Sequence, residues 1–189
     1  MKKIMISSLL VGMISCQLLA QNKVSFSSKN YFGIVAGSSG TNPQLQTING
    51  FKINKWFAGI GTGIDWYYQR SIPLFFSFDR NILMKQRRNF ILSADVGANF
   101  PWQNNQYQTI WGFEESKTVP GFYWATGFGY RIGIGKQKDA LLLNFGYTNK
   151  FFKEKTTNVY PCLVAPCPEH TESFNYNLRA ISIKVGYGF

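Results

Sequence analysis

The chain has 189 residues with 20 Lys and Arg against 9 Asp and Glu, a formal net charge of +11, and 17 % of its residues are aromatic. This length suits one folded domain, and a single histidine excludes sites that need several imidazoles. The excess of positive charge can serve nucleic acid or an anionic membrane surface, and the N-terminus decides between them.

Residues 1–20 read as a signal peptide. Met1-Lys2-Lys3 is a basic start, Ile4 to Ala20 is a short apolar run broken by Ser7, Ser8, Gly12, Ser15, Cys16 and Gln17, and Ala20 offers a cleavage point. A membrane-spanning helix needs about 20 firmly apolar residues, more than this run supplies. A lipidated Cys16 after Met13-Ile14-Ser15 is the alternative, although Met and Ile fit a lipobox poorly. The domain organisation is therefore a signal peptide over 1–20 and one domain over 21–189. An exported chain seldom meets nucleic acid, so anionic lipid or lipopolysaccharide is the expected electrostatic partner.

Beyond residue 20 the pattern is period two, bounded by turn residues. Segments near 29–38 and 44–54 lead to an Asn54-Lys55 turn. "KWFAGIGTGIDWYY" then sets Trp56, Ala58, Ile60, Thr62, Ile64 and Trp66 against Phe57, Gly59, Gly61, Gly63, Asp65 and Tyr67. A segment near 72–82 begins close to Pro73, where a strand tolerates proline. "FILSADVGANF" alternates over 90–100, and "FYWATGFGYRIG" over 122–133. A segment near 140–151 follows, and "ISIKVGYGF" closes the chain with Ile181, Ile183, Val185, Tyr187 and Phe189 on one face. These make eight candidate strands, most near the 9–11 residues of a tilted membrane strand. The connections alternate. Asn54-Lys55, "MKQRR" (84–88) and "GKQKD" (135–139) are short turns on one side. "SSGTNP" (38–43), "QRS" (69–71) and two loops near 101–120 and 152–173 lie on the other. Short turns on one rim and longer loops on the other are the habit of membrane barrels.

Two barrels compete: a soluble lipocalin-like one, apolar inside, and a membrane one, apolar outside. One face carries most of the strand glycines with Asp65, Asp95, Arg131 and Lys184; the other is bulky, nearly uncharged and bracketed by aromatics such as Trp56 and Trp66 or Phe90 and Phe100. A narrow barrel needs small or long polar residues within, and aromatics at both strand ends match the two bilayer interfaces. The fold class is an all-β, eight-stranded antiparallel up-and-down transmembrane β-barrel.

The whole segment after residue 20 resembles the small outer-membrane β-barrel proteins of Gram-negative bacteria, the group of OmpX and the OmpA transmembrane domain. The resemblance implies that Ile181, Ile183, Val185, Tyr187 and Phe189 form the signal read by the barrel-assembly machinery. "INKWFAGIGTGIDWYY…SIPLFFSFDRNIL" is also similar to strand–loop–strand units of such barrels.

Several motifs invite a chemical reading. "GIGTG" (59–63) and "GYRIGIG" (129–135) lack the helix that a phosphate loop requires, so their glycines read as small lumen residues. Asp65, Asp79, Asp95, Arg131 and Lys184 are expected to line the lumen as mutual ion pairs, with Ser77, Ser93, Asn81 and Asn144 nearby, because an enclosed charge is costly unless paired. Such a plug leaves room for no broad channel; a narrow gated pore is the alternative. In "YPCLVAPCPEH", Cys162 and Cys167 are expected to form a local disulfide; free thiols or a metal site with His170 are the other readings, and the latter lacks a fourth ligand. His170 beside Glu169, Glu172 and Ser173 is the sole candidate for rim catalysis and reads as a solvated loop histidine. The 101–120 loop carries Trp102, Tyr107, Trp111 and Phe113 among amides, either a recognition surface or an extension of the strands.

The expected function is non-enzymatic: a monomeric integral outer-membrane protein that stabilises the envelope or binds an external protein or surface ligand through its loops. A small-solute or ion porin is the alternative, and no cofactor or metal is expected.

Overall fold

The computed structural model describes residues 24–85, 87–102, 104–109, 112–134, 139–159 and 169–189. The proposed signal peptide and both Cys162 and Cys167 lie outside them, as does Trp111.

Ten antiparallel strands follow in order: β1 (Val24–Gly37), β2 (Gly40–Ile53), β3 (Trp56–Asp65), β4 (Ser71–Lys85), β5 (Arg88–Pro101), β6 (Asn104–Thr109), β7 (Gly112–Val119), β8 (Gly121–Gly133), β9 (Ala140–Val159) and β10 (Glu169–Gly188). Eight of them close a ring, β1-β2-β3-β4-β5-β8-β9-β10, with β10 returning to pair with β1. Closure leaves no free edge, the condition for a sheet to cross a bilayer. The eight-stranded barrel expected from the alternation is present. No helix among the described residues is long and apolar enough to cross a membrane.

The side-chain period of two decides which way each residue faces. On β10, Leu178, Ala180, Ser182 and Lys184 are buried, while Ile181, Ile183, Val185 and Tyr187 are exposed. On β4, Ser71, Phe75, Ser77 and Asp79 are buried, while Leu74, Phe76 and Phe78 are exposed. Exposed Leu, Ile, Val and Phe thus form a broad outer belt, far beyond the patches soluble monomers tolerate. Aromatic contacts bound the belt. Phe26–Phe51 (6.0 Å) and Phe90–Tyr130 (4.9 Å) lie toward the turn rim, Trp124–Tyr147 (5.6 Å) and Phe122–Phe151 (6.3 Å) toward the loop rim. Each rim also holds an Arg–Trp stack: Arg80 over Trp56 at 4.9 Å, and Arg70 over Trp102 at 4.3 Å. Amphipathic rings and snorkelling cations at two levels are the marks of two bilayer interfaces.

The turns show how local chemistry fixes register. Asn54 adopts φ 55° in the two-residue β2–β3 turn, a left-handed conformation asparagine tolerates. Lys55 O then accepts from both the backbone N–H and the side-chain amide of Asn81 (2.8 and 3.1 Å), tying this turn to β4. A register shift between Asn81 and Leu83 adds a bulge just past that tie.

Several connections differ from expectation. "SSGTNP" is not a loop: β1 runs to Gly37 and β2 starts at Gly40, leaving Ser38-Ser39 as the turn, with Gly40 at φ 97°. Ser71, counted within a connection, instead begins β4. The two long loops are also largely strand. β9 and β10 stay paired from Ala140↔Gly188 to Val159↔Glu169, well past the ring. The 101–120 segment folds as the β6–β7 hairpin, and β7 pairs with the upper part of β9 from Phe113↔Val159 to Val119↔Lys153. Backbone hydrogen bonds that a long loop would leave to water are thereby made within a four-stranded extension, β6-β7-β9-β10.

Candidate functional site

The lumen is filled at successive levels. At the loop rim Tyr67, in the β3–β4 connection, turns inward and is 0 % exposed. Its hydroxyl donates to Arg179 O (3.2 Å) and accepts from Ser39 N–H (3.3 Å), so one side chain ties the β3–β4 connection to the β1–β2 turn and to β10 across the mouth. Burial works against ionisation of this phenol, but hydrogen bonds from Ser39 and Ser38 and the charge of Lys150 outweigh it and hold its pKa below the usual value. Val35, Phe152, Leu178 and Ala180 pack with Tyr67 in one buried cluster.

Beneath it, Lys150 Nζ donates to Asp65 Oδ1 (2.5 Å), Ser71 Oγ (3.2 Å) and Tyr67 O (3.3 Å). All three donors of a buried ammonium are used, the condition for keeping such a charge indoors. The middle of the lumen mixes apolar rings with buried Gln46, Ser77, Asp95 and Lys184. Tyr31, Ile48, Phe57, Phe75, Tyr123 and Leu142 belong to one buried cluster, with Phe75 and Tyr123 rings 5.4 Å apart. Lys184 donates to Gln46 Oε1 (3.0 Å), and the Gln46 amide donates to Tyr123 Oη (3.4 Å). Toward the turn rim Lys29 pairs with Asp79 and lies over the Phe57 ring, 3.3 Å from its centroid.

The alternate glycines make this packing fit. A Cβ on Gly61 would meet the Phe75 ring at 2.4 and 2.5 Å, and one on Gly186 would meet the Tyr31 ring at 2.5 Å. The lumen strands therefore pair glycine with a large neighbour, so the filling is aromatic and aliphatic as much as polar. That departs from the expectation of a purely polar plug, and its cause is the room that β3 and β10 give up.

Of the five charges expected to pair with one another, Asp65, Asp79, Asp95 and Lys184 are buried on the lumen face and Arg131 is half-buried there. The partners differ. The cations on Asp65 and Asp79 are Lys150 and Lys29, neither anticipated, and Lys184 bonds Gln46 rather than a carboxylate. Asp95 lies within electrostatic reach of Lys184, Asp79 and Lys29. Ser93 Oγ accepts from the Asn144 amide (3.3 Å) and donates to Gly127 O (3.2 Å). Period two carries the missed signal: Lys29 shares a face with Tyr31, Gly33 and Val35, and Lys150 with Leu142, Asn144 and Thr148.

At the loop rim Trp102 is 53 % exposed beneath Arg70. Tyr107 lies on β6 and Phe113 on β7, outside the ring. Tyr68, at φ 65°, stacks on Tyr176 (5.2 Å), which stacks on Phe152 (4.8 Å). His170 is exposed at the start of β10, its Nε2 3.4 Å from Glu172 Oε1, with Ser173 exposed nearby. No group of three metal-binding side chains occurs among the described residues.

A closed antiparallel ring with a belt of exposed aliphatics, aromatic rims and a packed lumen is the fold of the small outer-membrane β-barrel proteins. Among solved structures, the chain is similar to the crystal structure of Neisserial surface protein A (NspA), with TM-score 0.51 and 11 % identity over 88 % of this chain and 97 % of that one. The solid-state NMR structure of outer membrane protein AlkL in lipid bilayers also matches, with TM-score 0.44 and 12 % identity over 88 % and 87 % of the two chains. No family model matches the sequence, and no curated protein matches it. At this identity the likeness concerns the fold.

Proposed function

We propose that this chain is a monomeric integral protein of the outer membrane that acts through its raised loop-side rim, with a closed lumen as its structural core. The observation that supports this reading is the contrast between the two parts. The lumen is blocked by Tyr67, by Lys150–Asp65 and by the Phe75–Tyr123 cluster. The loop-side end instead extends as paired strands with Trp102 exposed. Its surroundings are outer-membrane lipid and lipopolysaccharide, and its partner is an external protein or surface ligand. Ile181, Ile183, Val185, Tyr187 and Phe189 serve the barrel-assembly machinery during biogenesis, and no enzymatic step is part of this role.

The test joins two measurements on protein expressed with and without the β6–β7 hairpin. Both forms should shift on gels between unboiled and boiled samples and stay silent in planar bilayers. Only the full chain should confer binding of labelled envelope or host-surface extracts on whole cells. Regular conductance steps from the full chain would favour the porin reading, and equal binding by both forms would remove the hairpin from the proposal.

A further inference from the structure

The outer belt is apolar at its central positions on β4, β5, β9 and β10, but not on β1–β3 or at Thr126 of β8. On β1–β3, Asn30, Thr47, Asn49 and Thr62 face outward among Phe32, Leu45, Ile60 and Ile64. The register makes them one patch: Thr47 is the cross-strand partner of both Asn30 and Thr62, and Asn49 follows Thr47 on the same face of β2. Phe26 and Phe51 lie on the turn-rim side of this patch and Ile34 on the loop-rim side, which places it inside the belt. Hydrogen-bonding groups turned toward hydrocarbon are costly and are retained where something meets them.

A second observation coincides with the first. An open, shallow depression of about 830 Å³ covers the outer wall over this patch, with Asn30, Thr47 and Thr62 among its lining and Phe32, Leu45 and Val185 as apolar walls. Thr47 Oγ1 donates to Asn30 Oδ1 at 2.8 Å. That bond occupies the threonine proton and one acceptor, so the two amide N–H donors of Asn30 and the lone pairs of Thr47 remain suited to a hydroxyl. A flexible apolar chain can cover such an open depression, and one hydroxyl on it would answer the polar groups beneath.

The geometry points to a binding site on the lipid-facing wall for a membrane lipid whose acyl chain carries a hydroxyl group. The chain lies along Phe32, Leu45 and Val185, and the hydroxyl meets Asn30 and Thr47.

The full chain, refolded in detergent micelles, is offered equal amounts of phosphatidylglycerol bearing tetradecanoyl or 3-hydroxytetradecanoyl chains, and retained lipid is counted by native mass spectrometry. The hydroxylated lipid should be retained about three- to tenfold over the plain one, the worth of a hydrogen bond or two in a bilayer. Asn30→Leu with Thr47→Val should erase the preference while keeping the boiling-dependent gel shift, since both replacements suit a lipid-facing strand. Equal retention of the two lipids by the unaltered chain overturns the proposal without recourse to any variant. A preference that survives in the double variant overturns it too, as does a dimer that the double variant dissolves.

Discussion

Phe189 and Ser28 exchange two backbone hydrogen bonds, Ser28 N–H to Phe189 O at 2.9 Å and Phe189 N–H to Ser28 O at 3.0 Å. The last residue of the chain is thus part of the seam that joins β10 to β1 and closes the ring. Its side chain faces outward, 6.3 Å from Tyr187 ring to ring. Backbone and side chain therefore make separable contributions. Deleting Phe189 removes both bonds and leaves Ser28 unpaired at the seam, so the folded fraction after expression should fall severely. Phe189→Ala keeps the bonds and should fall less if the seam dominates. The fraction of protein that shifts on unboiled gels measures both. Assembly of the deletion at the level of the unaltered chain would remove the terminal residue from any account of closure or recognition.

The Lys150–Asp65 pair supports a sharper energetic prediction. Removing one member of a buried pair strands the other charge, at a cost of about 3–5 kcal/mol, whereas replacing both with apolar residues is often near neutral. Lys150→Met alone should lower the urea midpoint of the refolded barrel substantially. Lys150→Met with Asp65→Leu should recover most of that loss. Additive losses would mean that the two residues act independently, contrary to their 2.5 Å contact.

Gly61 offers a test of the packed lumen. An alanine methyl at that position meets the Phe75 ring at 2.4–2.5 Å, closer than side chains approach, so the ring or the strand must shift. Overpacking of this kind costs about 1–3 kcal/mol. Gly61→Ala should be destabilised by that amount in equilibrium unfolding. Gly61→Ala with Phe75→Leu, which frees the space, should regain part of it. A neutral Gly61→Ala would show that the lumen is looser than its geometry.

What the sequence made legible was set by physical period. Bulky residues on one face of "ISIKVGYGF" and glycines on the other face of "GIGTGID" established sidedness, and both segments adopt those faces. The ends of strands were less visible. Lys29 and Lys150 sit where the alternation starts or gives way, so their sequence context does not mark them as lumen residues. "SSGTNP" reads as a loop by composition, yet cross-strand pairing carries it into β2 with Ser38-Ser39 as the turn. β6, β7 and the ends of β9 and β10 that pair with them and with each other lack an apolar stripe because they stand beyond the belt. Their pairing with each other comes from backbone hydrogen bonds and leaves no hydrophobic signature. The polar patch on β1–β3 was hidden for the opposite reason, since Asn30, Thr47 and Thr62 become neighbours only once register is known.

Ile183 tests the orientation of the whole barrel. It is 51 % exposed on β10, between Ile181 and Val185, while its neighbours Ser182 and Lys184 point inward. If the belt faces hydrocarbon, Ile183→Arg places a charge within the bilayer, at a cost of about 2–4 kcal/mol near the midplane. In a soluble barrel the same change on an exposed site would be within about 0.5 kcal/mol of neutral. Unfolding of the refolded variant in lipid vesicles, compared with Ile183→Leu, distinguishes these outcomes. The lumen face should respond in the other sense: Ser182→Ala, also in β10, removes a hydroxyl from a packed interior without exposing charge to lipid, so its effect should be small beside that of Ile183→Arg. A large penalty at Ile183 with a small one at Ser182 is what a lipid-facing belt requires, and the reverse order would turn the barrel inside out.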